Sequence, residues 1–124
     1  MKNKVLIIDD EPSNIFALAA VLRSKGWQIA SATHADEGLK LLNNDKNIGV
    51  VLLDMMMPDT DGYETISLIR KEETIKSLPV IAVTAQAMVG DREKCLEAGA
   101  NDYVSKPIDV DRLLTLLDDY TKQA

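Results

Sequence analysis

One cysteine, one histidine, one tryptophan and one phenylalanine stand among 124 residues. Each scarcity closes off a class of protein. The lone Cys95 leaves no internal disulfide and no thiolate pair for a zinc site, so the chain fits a reducing compartment, the cytoplasm. Cys95 itself reads as a small, semi-buried apolar residue rather than a reactive thiol. His34 sits at the start of a predicted helix as an exposed turn residue, which leaves no histidine for base catalysis. No Lys/Arg run exceeds the pair Arg70 and Lys71, and 14 basic against 20 acidic residues give a formal charge of −6. That balance argues against direct contact with nucleic acid. The N-terminal stretch "MKNKVLIIDD" holds only four consecutive apolar residues before an acid pair, too few for a signal peptide or a membrane span.

What is present is alternation. Short apolar runs, "KVLII" (4–8), "WQIAS" (27–31), "VVLL" (50–53), "VIAV" (80–83) and "YV" (103–104), are separated by segments with helical spacing. Three runs are unbroken, the pattern of strands covered on both faces in a parallel sheet. Ile15, Leu18, Ala19 and Leu22 form one helical stripe; Ala35, Leu39 and Leu42 another; Val110, Leu113, Leu114 and Leu117 a third. Thr33 with Asp36, Asp61 with Glu64, and Asp109 read as helix N-caps. The helix expected over 87–98 has a thin stripe of Met88, Val89, Cys95 and Leu96, so it should be the least firmly docked. Trp27, after Gly26, should cover a helix–strand joint. No repeat, low-complexity tract or linker divides the chain, so 1–124 reads as one domain, 46% hydrophobic and 27% charged. Five β units alternating with five α units predict an open three-layer α/β sandwich around a five-stranded parallel sheet.

Four of the five strand patterns end on chemically useful residues: Asp9 and Asp10, then Asp54, then Thr84, and finally Ser105 running into Lys106 and Pro107. In a parallel sheet the carboxyl ends of strands share one edge, and ligands bind in the crevice outside it. Three carboxylates meeting there repel one another, and a divalent cation is the common remedy. An all-oxygen set suits Mg²⁺ or Mn²⁺ rather than zinc, and Mg²⁺ completes its octahedron with waters and phosphate oxygens. A lysine supplies a point charge for phosphate, a threonine hydroxyl can donate to it, and a carboxylate can itself be the nucleophile. Taken singly, each acid could instead be a helix cap or turn former, as "DDEPSN" with Pro12 in a first helical turn illustrates.

These residues, with "LIIDDEP" (6–12), "LLDMMMPDTDG" (52–62), "VIAVTA" (80–85) and "AGANDYVSKPID" (98–109), make the chain resemble the receiver domain of two-component response regulators over nearly its whole length. The resemblance implies a flavodoxin-like, doubly wound (βα)₅ fold with strand order 2-1-3-4-5. It implies Asp54 as phosphoacceptor, Asp10 as a direct Mg²⁺ ligand, Asp9 as a partly water-mediated one, and the backbone carbonyl of Met56 as another. It further implies that Lys106 pairs with Asp54 and then with the phosphoryl group, that Thr84 swings to a phosphoryl oxygen, and that the Tyr103 rotamer follows. Met56 and Gln86 are the positions whose side chains modulate water access. Lys106 and Pro107 match a pair joined by a cis peptide. The implied partners are a histidine kinase or histidine phosphotransfer protein upstream and a protein target reading helix 87–98 with the last strand and helix.

Other classes fit less well. A haloacid-dehalogenase-like phosphohydrolase would want D-x-D after the first strand, where Asp9, Asp10 and Glu11 stand. A flavin module would meet an acidic loop that repels its phosphate. A pseudo-receiver acting only by protein contacts would not need the complete acid, hydroxyl and lysine set. Met55 and Met57 read as packing residues, and Asp59 as part of the turn after Pro58. With no room for an effector after the fifth helix, the chain reads as a stand-alone receiver or a piece of something longer; the run from Thr84 to Ile108 looks like receivers of hybrid sensor kinases, whereas the Met1 start and the polar "DDYTKQA" end favour a free-standing chain.

Overall fold

The computed structural model of the chain describes residues 3–58, 60–85 and 90–121. Among the described residues, five strands alternate with five helices: β1 (Lys4–Ile8), α1 (Pro12–Ser24), β2 (Gln28–Ala32), α2 (Ala35–Asn44), β3 (Ile48–Asp54), α3 (Gly62–Lys71), β4 (Val80–Thr84), α4 (Asp91–Ala98), β5 (Asp102–Ser105) and α5 (Val110–Thr121). The strands form one parallel sheet in the order β2-β1-β3-β4-β5, as the resemblance implied. Parallel neighbours need crossover connections, and the helices that supply them cover both faces.

Two apolar layers result. Leu6, Ile8, Val51 and Leu53 point to one face, where they pack with Leu42 of α2, Ile66 and Ile69 of α3 and Cys95 of α4. Val5, Ile7, Val50 and Leu52 point to the other, against Ala19 and Leu22 of α1 and Leu113 and Leu117 of α5. Every residue of β3 is buried, which is why its sequence shows no polar alternation.

The helix starts follow the expected chemistry in two cases and depart from it in a third. The Asp61 carboxylate accepts from the backbone N–H groups of Tyr63 and Glu64 at 2.9 and 3.4 Å, capping α3. Asp109 accepts from Arg112 N–H at 3.2 Å at the head of α5. Thr33 does not cap α2: His34 is the N-cap residue, without a side-chain cap bond, and the Thr33 hydroxyl lies 3.1 Å from His34 Nδ1 instead. The extended backbone at His34 moves the helix start one residue past the expected cap. β2 likewise begins at Gln28, leaving Trp27 half-buried beside the α1/α5 layer. Cys95 is buried, and it is the buried residue of α4. Residues 87–89 of the helix expected over 87–98, with Met88 and Val89, lie outside the described residues, as do Asp59 and Gln86.

Candidate functional site

The sheet register brings the candidate residues together. Ile8 lies opposite Leu53, so Asp9 emerges beside Asp54, the last residue of β3. Asp54 lies opposite Val83, which sets Thr84 one residue further along β4. Thr84 lies opposite Ser105, so Lys106 follows at the same edge, and its backbone N–H donates to the Thr84 carbonyl at 2.8 Å. Residues separated by up to 97 positions in sequence thus share one crevice because parallel strands align their carboxyl ends.

Asp9, Asp10 and Asp54 each offer a carboxylate oxygen, and these oxygens lie within 4.8 Å of one another. Asp9 and Asp54 are buried, while Asp10 is half-buried. Backbone amides orient two of the acids: Glu11 N–H donates to Asp9 Oδ1 and Met56 N–H to Asp54 Oδ1, both at 2.9 Å. The second oxygens of both face one ammonium, since Lys106 Nζ lies 3.5 Å from Asp54 Oδ2 and 3.6 Å from Asp9 Oδ2. Among the described residues, that ammonium pairs with two of the three clustered carboxylates, Asp9 and Asp54. Burial pushes the Asp54 carboxyl above its ordinary value, the Met56 N–H bond and Lys106 pull it back, and the Asp9 charge raises it again. The donor set is all oxygen and short of positive charge, which fits Mg²⁺ and does not fit a metal wanting nitrogen or sulfur.

Other expected residues fall as follows. Met56 is in the turn directly after β3 and is 44% exposed. Thr84 is buried at the end of β4. Tyr103 is half-buried on β5 against the α2/α3/α4 layer, and its carbonyl accepts from Arg112 at 2.9 Å. The Lys106–Pro107 peptide is cis. His34 is exposed and lines a separate shallow depression with Asp61 and Glu64, away from the acid cluster.

The expected residues leave one feature of the crevice unaccounted for. A largely apolar cleft of about 290 Å³ runs between α1 and the β5–α5 connection, lined by Leu18, Val21, Pro107 and Ile108, and ends at Asp54 and Lys106. The outer face of α1 continues it: no charged residue occurs from Pro12 to Leu22, and Phe16 is 77% exposed. A solvent-facing helix surface ordinarily carries charged residues; their absence over 12–22 is the signal for this face in the sequence.

Comparison with known proteins agrees with this geometry. The response regulator receiver domain family matches residues 5–118. The histidine kinase BarA of Escherichia coli is 37% identical over 115 residues, which is 91% of this chain and 12% of that protein. The chain thus spans about an eighth of that relative's length. Protein PilH of Pseudomonas aeruginosa is 33% identical over 90% of this chain and 91% of its own. The receiver domain of the sensor histidine kinase PA1611 from Pseudomonas aeruginosa, solved with magnesium coordinated in its active-site cleft, superposes with a TM-score of 0.86 at 32% identity, covering 98% of this chain and 99% of that one. The receiver domain of Ssk1 from Saccharomyces cerevisiae, solved together with the histidine phosphotransfer protein Ypd1, shares the fold at 24% identity, and among the described residues no helix is long and apolar enough to cross a membrane. With its strand order, its strand-end acids and its matched span in agreement, the chain belongs to the response regulator receiver domain family of two-component signalling.

Proposed function

We propose that Asp54 takes a phosphoryl group from a partner's phosphohistidine, and that 1–124 acts as one receiver unit in the cytoplasm. The observation that carries this reading is a buried strand-end carboxylate with an ammonium 3.5 Å away and two further carboxylates within 4.8 Å. Asp54 Oδ1 is held by Met56 N–H, which fixes the carboxylate plane and leaves Oδ2 toward Lys106. An oxygen of Asp54 attacks phosphorus in line; the P–N bond breaks, and the imidazole keeps the electron pair and takes up a proton. Lys106 stabilises charge on the equatorial oxygens, and Thr84 donates to one of them. Asp9, Asp10, Asp54 and the Met56 carbonyl would hold Mg²⁺, with Mn²⁺ the all-oxygen alternative, and the ion when bound supplies neutralising charge for the phosphoryl oxygens. Attack by water at the same phosphorus returns Asp54, and the side chains of Met56 and Gln86 set how easily that water enters.

The apolar outer face of α1, with Phe16 and the adjoining cleft, supports docking of the donor there, because it delivers a partner's side chain to Asp54 from the open side. The added dianion then shifts Thr84 and Tyr103 and re-presents α4, β5 and α5 to a downstream protein. Intact mass spectrometry after incubation with a small phosphodonor and Mg²⁺ tests the reading. One phosphoryl addition to the wild type and none to Asp54→Asn is expected; unmodified wild type, or equal modification of both, refutes it.

A further inference from the structure

We propose that Arg70 is a positioning residue that clamps the C-terminal end of α4, so that Gly99 is the fixed pivot and Gly90 the open hinge of that helix. Arg70 lies on α3, outside the acid site. Its guanidinium has five N–H donors, and each is engaged. Nε and Nη2 donate to the Gly99 carbonyl at 2.9 and 2.7 Å, and Nη2 donates also to Asn101 Oδ1 at 2.7 Å. Nη1 donates to the carbonyls of Lys76 and Leu78 at 2.9 and 2.6 Å. Among the described residues no carboxylate lies within 4.0 Å of it. A half-buried cation satisfied by oxygen dipoles alone is unusual, because burial of a charge is ordinarily compensated by a partner ion. Its flat fork joins three segments that a single ammonium could not hold together.

The two ends of α4 are built differently. Both are capped by a left-handed glycine, Gly90 at φ 95° and Gly99 at φ 116°. A Cβ placed on Gly99 would come within 3.1 Å of Arg70 Cγ and 3.2 Å of Ile66 Cγ2, whereas one placed on Gly90 would meet nothing within 4 Å. The clamped end is also tied to the sheet: Asn101 Oδ1 accepts from Val80 N–H at 2.9 Å, and Asn101 N–H donates to the Val80 carbonyl at 2.8 Å. That knot joins the starts of β4 and β5, the ends opposite Thr84 and Lys106. With Cys95 as its buried side chain, α4 has little core packing to resist rotation about the clamped end. A displacement entering at the Thr84 end of β4 therefore moves the Gly90 end of α4 and leaves Gly99 in place. The signalling consequence rests on the phosphoacceptor reading above; the clamp does not.

Amide hydrogen exchange on the whole, unmodified chain separates the two. The N–H groups of Gly99, Ala100 and Asn101 are bonded to Leu96, Cys95 and Val80 carbonyls, and that of Lys94 to Gly90, so all four report protection. Arg70→Lys keeps the stem and charge and removes the fork. Relative to the β1 amides of the same protein, it should speed exchange at Gly99–Asn101 about tenfold and leave Lys94 within about twofold. Gly90→Ala, strained at positive φ, should do the reverse. A residue that merely stabilised the fold would raise exchange equally in β1 and α4. Uniform acceleration, unchanged rates at Gly99–Asn101, or an Arg70→Lys effect centred on Lys94 would overturn the proposal.

Discussion

Removing the charge of Asp54 should make this protein more stable at neutral pH, although it removes the residue proposed to be its most important. The carboxylate oxygens of Asp9, Asp10 and Asp54 lie within 4.8 Å of one another, and Lys106 sits 3.5 Å from Asp54. At an effective dielectric of about 20, a like pair 4.8 Å apart repels by about 3.5 kcal/mol and an opposite pair at 3.5 Å attracts by about 4.7 kcal/mol. Asp54→Asn relieves two repulsions and forfeits one attraction, a net gain of ~2 kcal/mol, and the amide oxygen can still accept from Met56 N–H. For a chain of 124 residues that gain is a rise in Tm on the order of 5–10 °C. The pH dependence has a definite sign. Because burial raises the Asp54 carboxyl, the folded protein holds that proton more tightly than the unfolded chain does. The destabilisation is therefore absent below the ordinary carboxylate range, grows as pH rises through the window up to the raised value, and is complete above it. Thermal unfolding followed by circular dichroism, at low ionic strength with a chelator, should show the variant ahead at pH 7 and the gap closing toward acid pH. Saturating Mg²⁺ should narrow the gap at pH 7 by stabilising the wild type. A variant no more stable than wild type at pH 7 in chelator would refute the account of three clustered acids whose repulsion outweighs the Lys106 attraction.

Asp10→Ala should weaken Mg²⁺ binding by about tenfold or more, since a small hard cation depends on few direct carboxylates; an unchanged Kd by calorimetry would count against Asp10 as a ligand. Lys106→Ala should slow phosphoryl uptake from a small donor by roughly 10²-fold in a mass-spectrometric time course, the scale of losing one preorganised charge at the transferring group; wild-type kinetics would remove Lys106 from the mechanism. Gly62→Ala places a Cβ 2.6 Å from Met55 Sδ and 3.1 Å from Met55 Cα, so the Met55 side chain must swing aside and the turn that follows Asp54 must give by a few tenths of an ångström. Urea denaturation should show a loss of about 1–3 kcal/mol, and no loss would mean that the turn relaxes freely.

The alternation of apolar runs with helical stripes was enough to predict five β and five α units, because strands buried on both faces cannot hide their composition. Asp61 and Asp109 were legible as caps, since a short acid before a helical stripe bonds the free N–H groups of the first turn. Thr33 was misleading for the same reason: its hydroxyl had the right chemistry, but His34 adopts the extended cap conformation and the hydroxyl turns to the imidazole. The roles of Arg70, Gly62 and Gly99 were not legible. Each depends on what lies beside it in space: three carbonyls from two other segments, Met55, and Arg70 itself.

The order of chemical residues along the chain, acid pair, acid, hydroxyl, lysine-proline, determined which groups were available and that they suited phosphate and a hard cation. Only the tertiary structure decided that they meet. Parallel register carries Asp9, Asp54, Thr84 and Lys106 to one edge, burial raises the Asp54 carboxyl, and among the described residues the Lys106 ammonium faces both Asp9 and Asp54. A sequence states the charges a chain carries, whereas their energy depends on distance and on the water excluded between them, and both are properties of the folded state.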